Sequence, residues 1–475
     1  MNSLDTLLAE AKLARDSAKW SLGVALYSKA NELMPDAWQI AHNRGLCFLG
    51  AGQFKEAIAD AKKALAIKPD LWQSAIILAK SQESLGLMGE ADSAYQAVLR
   101  WNIGNPTAIL GRAHLALNQF GDPLAASALV EPLLKNKDYL MDAELTQLMA
   151  SLYDRDAGID GRTLSANAKR FAQQYLQLPN PKKPSKKRGN SSAKRPRVGL
   201  LSNAFCASPV YFLTIAGWHH VAKGCNIIIF NRGHSKDWAT EEFRNLASEW
   251  HEVQHMPGLE LAKVIAANEI DVLYDLGGWM DPVGLQALSL NPAPQQFKWV
   301  GGQSITTGLD CFAGWIGDEM QSPKQFQDLY TEPLINIPGA YATYTAPPYL
   351  PKIATSKSQD PCVFSNPAKI SRQFLQFLKS VPGKKIFIHR QFKYARVQER
   401  IRLILGDACE FIYPGSHEEA LRALNNHAVM IDTFPYTSGL TAYEANALGV
   451  QVQVTQLGQL FCERHTAAYA GKLGG

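Results

Sequence analysis

From Arg197 onward, short apolar runs rich in β-branched residues alternate with longer runs of helical spacing. RVGLLS, NIIIFN, DVLYDLGG and FKWVGG read as strands. FLTIAGWHHVAKG, EEFRNLASEW and KVIAANE read as helices between them. After Pro361 the alternation restarts: CVFSN, KKIFIHR, CEFIYPG, AVMIDTF and VQVQVT as strands, with SRQFLQFLKSV, ARVQERIRLILG, EEALRALNN and AYEANALG as helices. ERHTAAYAGKLG follows as a last helix. Such alternation predicts parallel sheets, and the restart predicts two Rossmann-like lobes. Ligands then bind at the carboxyl ends of strands, facing the cleft between lobes.

The first part of the chain has a different rhythm. Pro35-Asp36 returns as Pro69-Asp70, Trp38 as Trp72, Gly52 as Gly86 and Glu56-Ala57 as Glu90-Ala91, always 34 residues on. That period, with these small and aromatic positions, predicts tetratricopeptide helix pairs. About four units extend over residues 1–140, and a helical cap is expected over 141–180. A basic linker over 181–196 separates them from an N-terminal lobe (197–350) and a C-terminal lobe (351–475). The fold class is therefore an all-α repeat solenoid followed by a two-lobed α/β region.

Composition adds few constraints. With 475 residues the chain exceeds one core. No apolar run is long enough to cross a bilayer, and the N-terminus has no basic start or cleavage site, so it is not a signal peptide. The seven cysteines are scattered and form no Cys-x-x-Cys pair, which points to reduced thiols in a cytoplasmic protein and against structural zinc. The net charge is +5, yet Lys182, Lys183, Lys186, Lys187, Arg188, Lys194, Arg195 and Arg197 outweigh it, leaving −3 elsewhere. The basic character thus belongs to one solvated linker, and a nucleic-acid role has no other support.

The most informative stretch for chemistry runs from Ile431 to Ala445. An apolar strand ends at Asp432, a small-residue turn follows, and a helix begins near Leu440. N–H groups at a helix start lack internal partners and sit at the positive end of the dipole, so an anionic diphosphate fits there. The same pattern also serves merely to close a βα unit. No Gly-x-Gly-x-x-Gly follows a strand and no Gly-x-x-x-x-Gly-Lys-Ser/Thr occurs, which argues against dinucleotide enzymes and P-loop nucleotidases.

Several segments in order resemble the O-linked GlcNAc transferase/SPINDLY family. They are Pro196 to Ser202, Asp275-Leu276-Gly277-Gly278, Pro292-Ala293-Pro294-Gln295, Trp299 to Gly308, Tyr330-Thr331-Glu332, Phe364 to Ile370 and Asp432 to Glu444, with Arg464 on the arginine of the family's last helix. The resemblance implies a GT-B fold and an inverting, metal-independent transfer of a sugar from a nucleotide donor to protein Ser or Thr. It implies that Lys369 is the catalytic point charge at the departing diphosphate. Asn366, Gly439, Leu440, Thr441, Ala442, Glu444 and Arg464 are the implied donor-binding residues, Glu444 taking ribose hydroxyls. No cofactor or metal is expected, the UDP-GlcNAc-like nucleotide-sugar entering as substrate. The expected partners are that donor and a peptide on the concave face of the repeats; no membrane partner is expected.

Blander readings stand beside these. Lys369 reads equally as a solvated loop lysine, Glu444 as a helix-surface acid, Asn366 as a turn residue, and Arg464 and His465 as facing solvent. His219, His220 and His389 read as packing or surface groups. Three departures from the family bear on activity. Ala204 and Ser208 stand where it carries an acid and a histidine, Trp279 replaces the histidine of its D-L-x-G-H turn, and Thr437-Ser438, Leu440 and Ala442 alter its nucleotide turn. A last helix bracing the cleft is not expected before Gly475. The alternative function is a catalytically degenerate GT-B protein acting as a repeat-based scaffold.

Overall fold

A computed structural model describes residues 4–155, 158–179 and 195–469. Nearly all of the basic stretch, residues 181–194, lies outside them. Contacts divide the chain into two units, the first ending at Gln147 and the second beginning at Leu148.

The first unit consists of antiparallel helix pairs: α1 (Leu4–Asp16) with α2 (Trp20–Leu33), α3 (Trp38–Gly50) with α4 (Phe54–Ile67), α5 (Trp72–Ser84) with α6 (Met88–Trp101), and α7 (Pro106–Asn118) with α8 (Pro123–Val130). The repeat is visible in the backbone. Gly52 and Gly86 both adopt φ +76, a left-handed turn between paired helices that a side chain would strain. Ala57 and Ala91 are fully buried, where a larger group would hold the helices apart. Inside this unit Arg44 forks onto Asp60 at 2.6 and 2.7 Å. Helix α9 (Leu140–Tyr153) follows.

The segment expected as a helical cap is divided between the units. Helix α10 (Gly161–Phe171) packs within the second: the Ser165 hydroxyl donates to Leu329 O and Lys169 Nζ donates to Asp328 O at 2.8 Å.

The second unit carries two wholly parallel sheets. Strands β1 (Arg197–Ser202), β2 (Asn226–Asn231), β3 (Glu249–Glu252), β4 (Val272–Asp275), β5 (Gln295–Lys298), β6 (Gly314–Gly317) and β7 (Leu334–Asn336) assemble in the order 3-2-1-4-5-6-7. Helices α11 (Pro209–Val221), α12 (Trp238–Leu246), α13 (Gly258–Ala267) and α14 (Pro282–Leu288) connect them. The run EEFRNLASEW is not one helix. It ends at Leu246, and Glu249–Glu252 becomes an edge strand because β2 offers it partners from Ile228 to Asn231. Strands β6 and β7 also lie outside the sequence-based expectation.

The smaller sheet alternates β8 (Cys362–Phe364), α15 (Arg372–Ser380), β9 (Lys385–Ile388), α16 (Ala395–Leu405), β10 (Cys409–Ile412), α17 (His417–Asn425), β11 (Val429–Ile431), α18 (Leu440–Ala447) and β12 (Gln451–Gln453). Its strand order is 10-9-8-11-12. Strands β8 and β11 are neighbours at its centre, so the loops leaving their carboxyl ends meet. One loop carries Asn366 to Lys369 and the other carries residues 432–444. Among the described residues no helix is long and apolar enough to cross a membrane.

Candidate active site

Lys369 is delivered by a short, tightly held turn. The Asn366 side chain accepts the Ala368 N–H at 2.9 Å and so caps the single 3-10 turn Pro367–Lys369. The Arg400 guanidinium donates to Pro367 O and Ile370 O, both at 2.8 Å, fixing the turn from beneath. Ser371 caps α15 and donates its hydroxyl to Phe434 O at 2.7 Å, tying this loop to the next. The Lys369 ammonium then reaches Thr437 O at 2.9 Å and lies 4.4 Å from the Tyr436 ring centre. Burial pushes its pKa down to about 8, against the opposing pull of Asp432 and Cys462. It is therefore no freely solvated lysine, and it lies directly against the 432–444 turn.

That turn is organised by a buried acid. Asp432 is 1% exposed; its carboxylate accepts the Ser438 N–H at 2.8 Å and the Thr466 hydroxyl. Thr437 donates its hydroxyl to Cys462 O and accepts the His465 N–H, each at 2.9 Å. Gly439 precedes the first turn of α18. The Ala442 N–H already donates to Gly439 O at 3.1 Å, so Ala442 does not offer the free donor expected of it. Leu440 and Thr441 stand in the first turn, where N–H groups have no partner within the helix.

Glu444 lies one turn further and is 1% exposed, not a helix-surface acid. Its Oε1 accepts from His417 Nε2 at 2.8 Å; with that proton on Nε2, Nδ1 accepts the Tyr349 hydroxyl at 3.0 Å. Sequence reasoning missed His417. Its only local signal was Ser416, an N-cap residue announcing α17, and nothing in the spacing ties His417 to Glu444.

Other expected site residues lie elsewhere. Arg464 donates to Met320 O at 2.9 Å and Gly458 O at 3.0 Å, backbone carbonyls that belong to neither the 366–369 nor the 432–444 loop. It also does not sit in a helix. Among the described residues the final segment is two 3-10 turns, Phe461–Glu463 and Ala467–Tyr469. The Glu463 carboxylate takes the N–H groups of Gln459 and Leu460 within the segment, and Thr466 is drawn across to Asp432; these bonds stand in place of a continued helix. His465 is not a solvent-facing group: burial, then Lys369, hold its pKa down to about 3, keeping it neutral. Ser208 caps α11, accepting the Val210 N–H at 3.2 Å and donating to Ala204 O at 2.8 Å. Trp279 is 5% exposed and its indole N–H donates to Thr306 O at 3.1 Å.

The remaining motifs of the first lobe brace the loop that faces this crevice. Lys298 is fully buried, donating to Asp275 O, Val300 O and Gly301 O at 3.1, 2.7 and 2.6 Å. The Asp275 carboxylate accepts the N–H groups of Gly277 and Gly278 at 2.9 and 3.0 Å. Glu332, also fully buried, accepts the Thr306 hydroxyl and the Thr307 N–H, both at 2.7 Å. The loop so held places Ser304 Oγ 2.8 Å from the Tyr436 hydroxyl, and Cys462 donates its N–H to Ser304 O at 2.9 Å. Thus loops leaving the two sheets meet at Tyr436, beside Lys369. A partly buried ammonium, an open helix start and a buried acid one turn along suit a ligand combining a diphosphate with a hydroxylated group.

No family model matches the chain. It is 24% identical over 302 residues to the probable UDP-N-acetylglucosamine–peptide N-acetylglucosaminyltransferase SPINDLY of Arabidopsis thaliana, covering 58% of this chain and 32% of that protein. With the probable UDP-N-acetylglucosamine–peptide N-acetylglucosaminyltransferase SEC of the same plant it shares 29% over 153 residues, 31% of this chain and 15% of that one. The chain therefore spans about a third or less of the length of these curated relatives. Its fold matches that of a mutant O-GlcNAc transferase of Thermobaculum terrenum with a TM-score of 0.62 at 22% identity, covering 98% of this chain and 84% of that one.

Proposed function

We propose that this chain, which is similar to the SPINDLY and SEC transferases and shares its fold with an O-GlcNAc transferase, is a protein glycosyltransferase of that family using a UDP-GlcNAc-like donor. The observation that carries the reading is the 2.9 Å contact between the Lys369 ammonium and Thr437 O, which sets the point charge against the mouth of α18. In the proposed reaction the bond between the sugar's anomeric carbon and the diphosphate oxygen breaks. A bond from the same carbon to an acceptor Ser or Thr oxygen forms with inversion, and the hydroxyl proton passes to solvent. Negative charge grows on the departing nucleoside diphosphate. Lys369 and the N–H groups of Leu440 and Thr441 meet it, so that no metal is required; fixed donors in a water-poor site are effective at this task. Glu444, oriented by His417, receives ribose hydroxyls. Asn366 shapes the lysine turn and Arg464 holds the C-terminal segment, so both act at a distance from the donor. The repeat array would present the polypeptide acceptor on its concave face, in a cytoplasmic setting.

The test is sugar incorporation into peptides from UDP- and GDP-sugars, preceded by a thermal-shift panel of both nucleotides. A nucleotide at 100 to 1,000 times its Kd should stabilise the protein by about 3–4 kcal/mol. Absence of any nucleotide shift would remove the donor assignment. Within the same assay Glu444→Ala is expected to raise the donor KM by about 10-fold or more, the scale of a hydrogen bond to a charged group, with a smaller change in kcat. His417→Ala should move KM in the same direction by less, because Glu444 loses its orienting donor. An unchanged KM in both variants would remove the ribose from this place.

One observation favours the second reading, a scaffold without turnover. The Ser208 hydroxyl, at the family's histidine position, is engaged by Ala204 O and Val210 N–H, so no general base stands there. Losing such a base costs about 10²–10⁴ in rate. This reading predicts peptide binding and nucleotide binding without transfer; stoichiometric glycosylation of a peptide would dismiss it.

A further inference from the structure

The last residue of α9 and the two that follow lie in none of the family-like segments, yet each grips a different part of the crevice. Tyr153 stacks on Tyr436 with ring centres 4.8 Å apart and planes 12° apart. Tyr436 is the ring over which the Lys369 ammonium lies. Asp154, 4% exposed, accepts the Arg372 N–H at 2.9 Å, holding the start of α15 three residues after Lys369. Arg155 pairs with the Glu463 carboxylate, which in turn orders the 459–463 segment. That segment supplies Cys462 O to both the N–H and the hydroxyl of Thr437.

We propose that Tyr153, Asp154 and Arg155 form a clasp that positions the Lys369 ammonium against the donor turn, with Tyr153 acting through Tyr436. Tyr153 is a positioning residue: it touches the ring, not the ammonium. Three consecutive side chains fix the three segments that build the crevice, residues 366–372, 432–444 and 459–466. No one of these segments is adjacent to the clasp in sequence, so their relative placement depends on it. The Tyr436 ring, on which Tyr153 stacks, covers one side of the Lys369 ammonium. The other groups facing the ammonium are Asp432 after β11, His389 after β9, and Cys462 and His465 in the C-terminal segment. Both histidines are held neutral by burial, with pKa values pushed down to about 4 and about 3, so neither titrates in the window where Lys369 does.

The inference deepens the donor-site reading, and its test needs no donor. The full chain is treated with acetic anhydride across pH, and acetylation of the peptide carrying Lys369 is followed by mass spectrometry. Lys369 in the parent and in Tyr153→Phe should show a midpoint near its lowered value of about 8. In Tyr153→Ala, water reaches the ammonium and the midpoint should rise toward the free-lysine value of about 10.4. Asp154→Ala, which removes both acceptors of Arg372, should raise it too, and it carries the test if near-UV circular dichroism shows that Tyr153→Ala does not fold. An unmoved midpoint in a folded variant overturns the clasp. A midpoint equally moved in Tyr153→Phe overturns the stacking account. Neither result bears on whether sugar is transferred, which the incorporation assay decides separately.

Discussion

Lys369→Met is expected to lower sugar transfer from a UDP-sugar by about 10²–10³-fold, the loss that follows removal of one preorganised donor from a developing anion. Methionine keeps the length and apolar stem of the side chain but leaves the departing diphosphate to Leu440, Thr441 and solvent. If the ammonium acts only as departing charge accumulates, kcat should fall more than donor affinity. Activity within about threefold of the parent would end the assignment. The same substitution has a signature in stability. The folded protein holds the lysine pKa near about 8, whereas the unfolded chain holds it near about 10.4. Between those values the unfolded state binds more protons, so the parent gains stability as pH rises through that window. Below pH 8 both states are charged and the full desolvation cost is present. Lys369→Met lacks this group altogether. The difference in melting temperature should therefore drift in the parent's favour from pH 7 to pH 10. A difference that stays constant with pH would show that Lys369 is not buried as described.

The second large effect concerns stability alone. Lys298→Ala should destabilise the protein by about 3–5 kcal/mol, because it strands a buried partner set instead of removing a matched pair. Three carbonyls, those of Asp275, Val300 and Gly301, lose their donor. The Asp275 carboxylate, 3.4 Å from the ammonium, loses its counter-charge. Burial already lowers the Lys298 pKa, so the folded state holds this ammonium at a cost, and only its complete set of partners offsets it. The urea midpoint, read by tryptophan fluorescence, should fall accordingly. Donor turnover should fall with it, since the Trp299–Gly308 loop supplies Ser304 to Tyr436. A loss below about 1 kcal/mol would mean that water reaches those carbonyls.

The parts of this protein that follow local rules were legible before any coordinates. Gly52 and Gly86 mark a turn only glycine takes easily, and buried Ala57 and Ala91 mark close helix packing, so the 34-residue unit could be read from its own residues. Apolar runs long enough to fill a parallel sheet announced β1, β2 and the strands of the second lobe. The strand Glu249–Glu252 was not legible, because EWHE carries no apolar run and becomes a strand only where β2 leaves an open edge. Lys369 and the 432–444 turn were found because each lies in a compact motif.

The sequence by itself determined the repeat period, the two α/β lobes, and the two short segments whose residue types suit a departing diphosphate. Only the tertiary structure decided which groups surround them. It brings Asp154 to Arg372 across 218 residues and Arg155 to Glu463 across 308. It turns Arg464 toward backbone carbonyls, buries His465 as a neutral ring, and seats His417 against Glu444. Helix and strand periods come from backbone geometry and recur locally, so they leave a trace in the chain. A single side-chain contact between distant segments has no period and leaves none, and here such contacts hold the ammonium in place.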